Sequence, residues 1–181
     1  MIEFLGTSHA AQHLKAAAIK RGLSVVDAPY SRYTRDLIFV SEDTPTNEAG
    51  ERDLAPIRKI IDEALSLRET QGQEIPIVLT SQVPPGFTRS LGIKNIYHQA
   101  ETLRMKDAEQ RAFEPDYIIV GGESDDAVFR HKAEPYFQYL YAFPSSPKFF
   151  VTFEEAEMSK IAVNMMLAAQ VDATNRLAKA S

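Results

Sequence analysis

The chain has 181 residues, of which 44% are hydrophobic and 25% are charged, and this composition predicts one globular domain with a sizeable core. The formal net charge of -5 and the lack of basic runs argue against nucleic acid or an anionic membrane surface as a partner. The sequence contains no cysteine, which excludes disulfides, thiolate metal ligands and a sulfur nucleophile from this chain.

The N-terminal segment, MIEFLGTSHAAQHLK, does not have the pattern of a secretion signal. It lacks a basic segment followed by an apolar stretch, and no apolar run in the chain reaches membrane-spanning length. We therefore expect a cytoplasmic protein.

Short apolar runs alternate with amphipathic stretches, which predicts strands and helices in turn. The predicted strands are Ile2–Leu5, Ser24–Asp27, Leu37–Val40, Pro76–Thr80, Asn95–His98, Tyr117–Val120 and Phe149–Phe153. Several of them are apolar on both faces, as in a sheet that helices cover on each side. We therefore predict an α/β fold with a doubly wound, mostly parallel sheet.

Four helices are predicted from alanine-rich or amphipathic stretches. Their ranges are Ser8–Arg21, Asp53–Leu67, Asp125–Tyr141 with a break near Pro135, and a long helix from Phe153 to the end of the chain. Thr152 and Glu155 have the spacing of a capping box at the start of the last helix.

A polar corner follows the fourth predicted strand, where the sequence reads Thr-Ser-Gln-Val-Pro-Pro-Gly over residues 80–86. Ligands of open parallel sheets bind outside the carboxyl ends of the strands, and Thr80, Ser81 and Gln82 lie at such an end. The alternative is a plain strand-to-helix turn that the two prolines stiffen.

This corner resembles the strand-end motif Ser-Thr-Val-Pro-Pro-Gly of the UDP-glucose/GDP-mannose dehydrogenase family. Upstream, DLIFVSEDTPTNEAGERDL resembles the family's strand, Pro-Thr-Pro loop and acidic turn into a helix. Downstream, QAETLR and PDYIIVGG resemble Asn-Pro-Glu-Phe-Leu-Arg and Pro-Asp-Arg-Ile-Val-Ile-Gly. The segment TFEEAEMSKIAVNMMLAAQVDATNRLA resembles the family's long central helix, and the four matches keep the family's order.

The resemblance implies a Rossmann-like sheet that is reduced by one βα unit. The family has a helix and a further strand after the second strand, whereas here only a few residues, Tyr30 to Arg35, lead to the third predicted strand. It divides the chain into a reduced dinucleotide-binding domain, residues 1–152, and a central dimerisation helix, residues 153–181, of the same compact unit. It also implies NAD as the cofactor and UDP-glucose or GDP-mannose as the substrate, which is oxidised to the uronic acid.

The resemblance implies catalytic roles for four residues. Lys160 and Asn164 match the lysine and asparagine that stabilise oxyanions, and Glu101 matches the acid/base glutamate. Gln82 stands where the family commonly has threonine, and Met105 stands where many members have a second glutamate. The alternative is that these side chains are ordinary residues of solvated surfaces.

The first strand and its turn align with the Gly-x-Gly-x-x-Gly pattern as Gly6, Ser8 and Ala11. A side chain at the second position occupies space through which the backbone approaches a pyrophosphate. Asp27 lies two residues before the position expected for the ribose-binding acid. The cofactor-binding residues that the resemblance implies are Gly6, Ser8, Ala11, Asp27, Ser81 and Gln82.

His9 and His13 are four residues apart near the start of the first helix and could share a metal ion. No third ligand is evident beside them, so we predict no metal site.

In the family, the catalytic cysteine and most of the substrate-nucleotide site belong to a second domain beyond the central helix. This sequence ends at Ser181 within that helix and has no cysteine, so we expect that it cannot perform the covalent two-step oxidation alone. Two functions stay open. One is a truncated dehydrogenase-like protein with weak or no activity alone, which could work with a separate partner domain. The other is a non-catalytic dimeric scaffold or regulator.

The long helix has an apolar face, which consists of Met158, Ile161, Met165, Ala168 and Ala169. An exposed face of this kind favours a homodimer through the helix. The alternative is that the face packs on the chain's own sheet.

Overall fold

The computed structural model of the chain describes residues 1–26, 34–123 and 134–180. The strands in these ranges are β1 (Ile2–Leu5), β2 (Leu37–Val40), β3 (Ile77–Leu79), β4 (Ile96–Gln99), β5 (Ile118–Gly122) and β6 (Lys148–Thr152). The helices are α1 (His9–Lys20), α2 (Ala55–Gln71), α3 (Phe87–Ser90), α4 (Ala108–Phe113), α5 (Pro135–Tyr141) and α6 (Phe153–Ala180). Among these helices, none is long and apolar enough to cross a membrane.

The six strands form one sheet in the order β1-β2-β3-β4-β5-β6. Strands β1 to β4 are parallel to one another, β5 is antiparallel to β4, and β6 is parallel to β5. Ile2 of β1 also forms a parallel bridge with Val25, on the side of β1 opposite to β2. The chain therefore winds away from β1 in both directions.

This topology confirms the predicted doubly wound, mostly parallel sheet with a long C-terminal helix. Six predicted strands are present: β1 and β2 have the predicted ranges, and the ends of the other four differ by one or two residues. The predicted strand Ser24–Asp27 is represented by the bridge at Val25, and Asp27 lies outside the described residues. In the sequence, only residues 26–36 separate Val25 from β2, and a further helix and strand would need a longer segment. The sheet is thus reduced by one βα unit, as predicted.

Two predicted elements need correction, and two short helices were not predicted. Helix α5 begins at Pro135, where the prediction placed only a break, and residues 125–133 of the predicted helix lie outside the described residues. The last predicted strand ends at Thr152, because Phe153 is already helical. The short helices α3 and α4 have four and six residues, and their few apolar positions gave no periodic signal.

Both faces of the sheet are covered, which explains the continuous apolarity of its strands. Leu37 and Phe39 of β2 pack into one apolar cluster, with side chains of α1 and α5. Ile38 and Val40 pack into the other cluster, with α2 and Phe153 of α6. All four β2 residues are fully buried, so β2 lies at the centre of the core.

His98 of β4 is buried in this core, below the carboxyl edge of the sheet. Its Nδ1 lies 3.5 Å from Oγ1 of Thr88, and burial lowers the pKa of His98 to about 3. Its imidazole is therefore neutral in the folded protein at neutral pH.

We expect His98 to make folding sensitive to mild acid. In the unfolded chain a histidine has a pKa of about 6.5, so the unfolded chain gains a proton as the pH falls below that value. The contribution of neutral His98 to stability is complete above this pKa and is lost as the pH falls toward the folded-state pKa of about 3. Between about pH 7 and pH 5, the free energy of unfolding should fall about 2 kcal/mol further in the native chain than in His98→Gln.

Urea denaturation at the two pH values measures this difference, with the exposed His9→Gln as the control. Equal pH dependence in the native chain and in His98→Gln would contradict it.

Candidate functional site

An open cleft of about 220 Å³ lies at the carboxyl edge of the parallel strands. The segments that follow β1, β2, β3 and β4 all contribute to its lining. The lining residues are Ser8, Ala10, Ser41, Glu42, Asp43, Thr44, Pro45, Arg52, Thr80, Ser81, Gln82 and Glu101. The polar corner that the sequence predicts as a ligand site therefore lies in a cleft, together with the turn between β1 and α1.

The β1–α1 turn is held tightly against the end of β2. Gly6 has a φ of +103°, and a Cβ atom at this position would lie 1.9 Å from the carbonyl oxygen of Ser41. Only glycine fits such an approach. Ser8 is buried, and its hydroxyl accepts a hydrogen bond from the amide of Ala11 at 3.1 Å and donates to the Ser41 carbonyl at 3.0 Å. The serine at the second position of the glycine pattern thus caps α1 and joins it to β2.

Ser81 joins the ends of β2 and β3. Its buried hydroxyl donates to the carbonyl oxygen of Glu42 at 2.7 Å and accepts from the amide of Glu42 at 2.8 Å. The Thr44 hydroxyl donates to the backbone carbonyl of Gln82 at 2.6 Å. The hydroxyl of Ser81 is therefore engaged within the protein, whereas the half-buried side chain of Gln82 lines the cleft.

The Glu42 carboxylate lies across the β1–α1 turn. It accepts hydrogen bonds from the backbone amide of Thr7 at 2.9 Å and from the Thr7 hydroxyl at 3.1 and 3.2 Å. The backbone amide of Asp43 donates to the same carboxylate at 3.0 Å. An acidic side chain thus lies at the turn that leads into the N-terminus of α1, where the helix dipole favours negative charge.

Lys160 and Glu101 meet beside the cleft. The Nζ atom of Lys160, on α6, lies 2.9 Å from Oε2 of Glu101, in the segment that follows β4. The two side chains are 20% and 18% exposed, so the pair is largely shielded but still reachable by a ligand. The other oxygen of Glu101 accepts a hydrogen bond from the amide of Leu103. Asn164 is exposed one turn further along α6 and does not line the cleft.

Glu157 is a structural residue of the site that the sequence interpretation missed. It is 1% exposed, and its carboxylate accepts hydrogen bonds from the amides of Gly86 at 2.5 Å and Thr88 at 2.8 Å. It therefore ties the Pro-Pro-Gly corner to α6, three residues before Lys160. The sequence analysis gave roles to Glu155, Met158 and Lys160 of this segment, but the contacts of Glu157 reach backbone amides that lie 71 and 69 residues away in the sequence.

The remaining predicted residues lie as follows. Ala11 is buried on α1, and Met105 is 82% exposed. The Nε2 atoms of His9 and His13 lie 3.0 Å apart. Within residues 1–26, 34–123 and 134–180 there is no group of three or more His, Cys, Asp or Glu residues that could hold a metal ion.

No family model matches the chain, but known proteins resemble it in fold and in sequence. The fold is dehydrogenase-like: a UDP-glucose dehydrogenase from Pyrobaculum islandicum superposes with a TM-score of 0.70 at 22% identity, over 92% of this chain and 44% of that one. A GDP-mannose dehydrogenase from Pseudomonas aeruginosa gives 0.64 at 22% identity, over 78% and 34%.

At the level of sequence, the chain is 30% identical to the UDP-glucose 6-dehydrogenase of Rickettsia conorii over 152 residues. The match covers 79% of this chain and 33% of that protein, so the chain spans about a third of its length. These findings confirm the predicted resemblance to the UDP-glucose/GDP-mannose dehydrogenase family.

We expect Glu157→Ala to destabilise the protein strongly. The substitution leaves two backbone N–H groups at the corner without their acceptor, which costs about 2–4 kcal/mol of unfolding free energy. Glu154→Ala is the matched control, because it removes a neighbouring carboxylate of α6 whose ion pair with Arg89 is partly exposed. That loss should stay within about 1 kcal/mol.

Chemical denaturation of the two variants measures the contrast. Equal effects of the two substitutions would show that Glu157 does not hold the corner.

Proposed function

We propose that the protein is a nucleotide-sugar dehydrogenase-like protein whose cleft binds a UDP- or GDP-sugar. The observation that carries this proposal is the pair of Lys160 and Glu101, which lies beside the cleft with both partners at positions that match catalytic residues of the family. The cleft opens at the carboxyl edge of the sheet, where ligands of this fold class bind.

The pair suits the chemistry of a sugar alcohol. The ammonium group of Lys160 can stabilise negative charge that develops on a sugar oxygen, since it lies in a largely shielded position. The Glu101 carboxylate can accept the proton of a hydroxyl group, and Gln82 can bind a further hydroxyl through its amide. Asn164 would contribute only if a ligand or a partner extended to the next turn of α6.

The family resemblance implies NAD as the cofactor, and we propose NAD as the dinucleotide to test. The β1–α1 turn does not fit a cofactor phosphate in its present arrangement, because the Thr7 amide already donates to Glu42 and the Ser8 side chain fills the second glycine position. The chain also has no thiol to hold an aldehyde-level intermediate. We therefore expect weak or no oxidation by this chain alone and keep a separate partner domain as a possible complement.

A non-catalytic dimeric scaffold or regulator is the second candidate. Two features favour it. The Thr7 amide of the β1–α1 turn already donates to Glu42 and is not available to a cofactor, and Gln82 replaces a threonine that is common in the family. The two candidates differ in whether the cleft binds a nucleotide sugar.

Calorimetric titration with UDP-glucose, GDP-mannose, NAD and NADH tests the proposal. We expect one nucleotide sugar to bind and Lys160→Ala to weaken that binding roughly tenfold or more, which is the effect of losing a hydrogen bond to a charged group. The exposed Lys59→Ala, on α2, should leave the affinity unchanged. Any NADH production should disappear in Lys160→Ala while NAD binding persists. Absence of heat with all four ligands would contradict the proposal and favour the scaffold.

We also propose that the protein forms a homodimer through α6. Residues 163–179 are exposed, and the large apolar side chains among them are Val163, Met165, Met166, Leu167, Val171 and Leu177. Met158 and Met165 belong to the predicted apolar face, and within the described chain they are 47% and 66% exposed. A second copy would remove this apolar surface from water.

Sedimentation velocity at micromolar concentration measures the oligomeric state. We expect a dimer for the native chain and a shift toward monomer in Met165→Glu, with the exposed polar Gln170→Glu as the control. A monomeric native chain would contradict the proposal.

A further inference from the structure

One acidic side chain, that of Glu42, occupies the hydrogen-bond donors of Thr7 in the β1–α1 turn. Glu42 belongs to the segment after β2. Its carboxylate accepts hydrogen bonds from the Thr7 amide at 2.9 Å, from the Thr7 hydroxyl at 3.1 and 3.2 Å, and from the Asp43 amide at 3.0 Å. Three donors around one carboxylate form the kind of arrangement that a phosphate group also accepts. The carboxylate is therefore an anion that the protein supplies to its own turn.

The Glu42 carboxylate lies where the phosphate group of a ligand would approach the β1–α1 turn. In sheets of this class, the first βα turn and the following helix N-terminus face the phosphates of a bound dinucleotide. Glu42 and Ser8 both line the cleft at that turn, together with Asp43. A ligand phosphate that approached the Thr7 amide would meet the Glu42 carboxylate, and two negative groups cannot share the same donors without strong repulsion.

The contact can open without disturbing the fold. The backbone of Glu42 is fixed by both of its hydrogen bonds to the Ser81 hydroxyl, at 2.7 and 2.8 Å. Its side-chain contacts with Thr7 and Asp43 are instead exposed to water, where breaking a hydrogen bond costs little. Rotation of the side chain alone would release the Thr7 amide.

We infer that Glu42 is an internal competitor for phosphate-bearing ligands of this cleft. Such ligands bind only to molecules in which the carboxylate has left the Thr7 amide. Their apparent affinity is therefore the intrinsic affinity multiplied by the fraction of molecules in that state. This inference rests on the proposed function, because it concerns the cofactor side of the same cleft. It assigns part of the expected weakness of cofactor binding to the Glu42 carboxylate, beside the Ser8 side chain, and not to loss of the fold.

Binding of NADH and of inorganic pyrophosphate to the full chain tests this inference. We compare the native chain with Glu42→Gln, which removes the charge, and Glu42→Ala, which removes the side chain. Asp62→Asn is the matched control, because it makes the same change in net charge at an exposed position on α2 that does not line the cleft. Both Glu42 variants should bind pyrophosphate and NADH at least about tenfold more tightly than the native chain, and Asp62→Asn should stay within about threefold.

Circular dichroism and amide hydrogen exchange serve as checks on folding and on the contact. Both Glu42 variants should keep the native spectrum, and the Thr7 amide should lose protection in Glu42→Ala. Equal or weaker binding by both Glu42 variants, or an equal gain in Asp62→Asn, would overturn the inference. Failure of every form to bind either probe would overturn it as well.

The same titrations separate this inference from the proposed function. Tighter pyrophosphate binding without any binding of NADH or a nucleotide sugar would support the role of Glu42 and contradict the proposed function. Binding of a nucleotide sugar to the native chain, with no gain for either probe in the Glu42 variants, would support the proposed function and overturn the inference.

Discussion

The close approach of the β1–α1 turn to the end of β2 is the constraint on which the cleft depends. The turn reaches the Ser41 carbonyl because Gly6 has no side chain, and the Ser8 hydroxyl then bonds to the same carbonyl at 3.0 Å. Ser81 extends this connection from β2 to β3 through the backbone of Glu42. These hydrogen bonds hold the ends of the three parallel strands beside one another at the cleft.

Helix α6 supplies the second boundary of the site, and its two halves have different environments. Its first turns pack on the sheet, where Gly121 of β5 leaves room for close contact: a Cβ atom there would lie 2.7 Å from that of Ala156. Glu157 ties the helix to the Pro-Pro-Gly corner, and Lys160 then reaches Glu101 at 2.9 Å. Beyond these contacts the helix is exposed, which suits a role in association.

The sheet and its winding could be predicted because apolar strands and turn residues are recognisable from short stretches of sequence. Motif resemblance singled out Lys160 and Glu101, and the structure brings their side chains together, while their catalytic roles stay predictions. The roles of Ser8, Glu42 and Glu157 could not be predicted, because each depends on a hydrogen bond to backbone that is distant in sequence. Periodicity reports which face of an element is buried and does not report such contacts. Asn164 shows the converse, since helical spacing placed it near Lys160 but not in the cleft.

The central claim is that the cleft beside the Lys160–Glu101 pair receives a nucleotide sugar. Titration of the ¹⁵N-labelled chain with UDP-glucose and with GDP-mannose, followed by amide chemical shifts, tests this most directly. The account predicts saturable shifts at Ser81, Gln82 and Glu101 with at least one of the two ligands. An unchanged spectrum with both ligands, or shifts confined to the exposed half of α6, would contradict it.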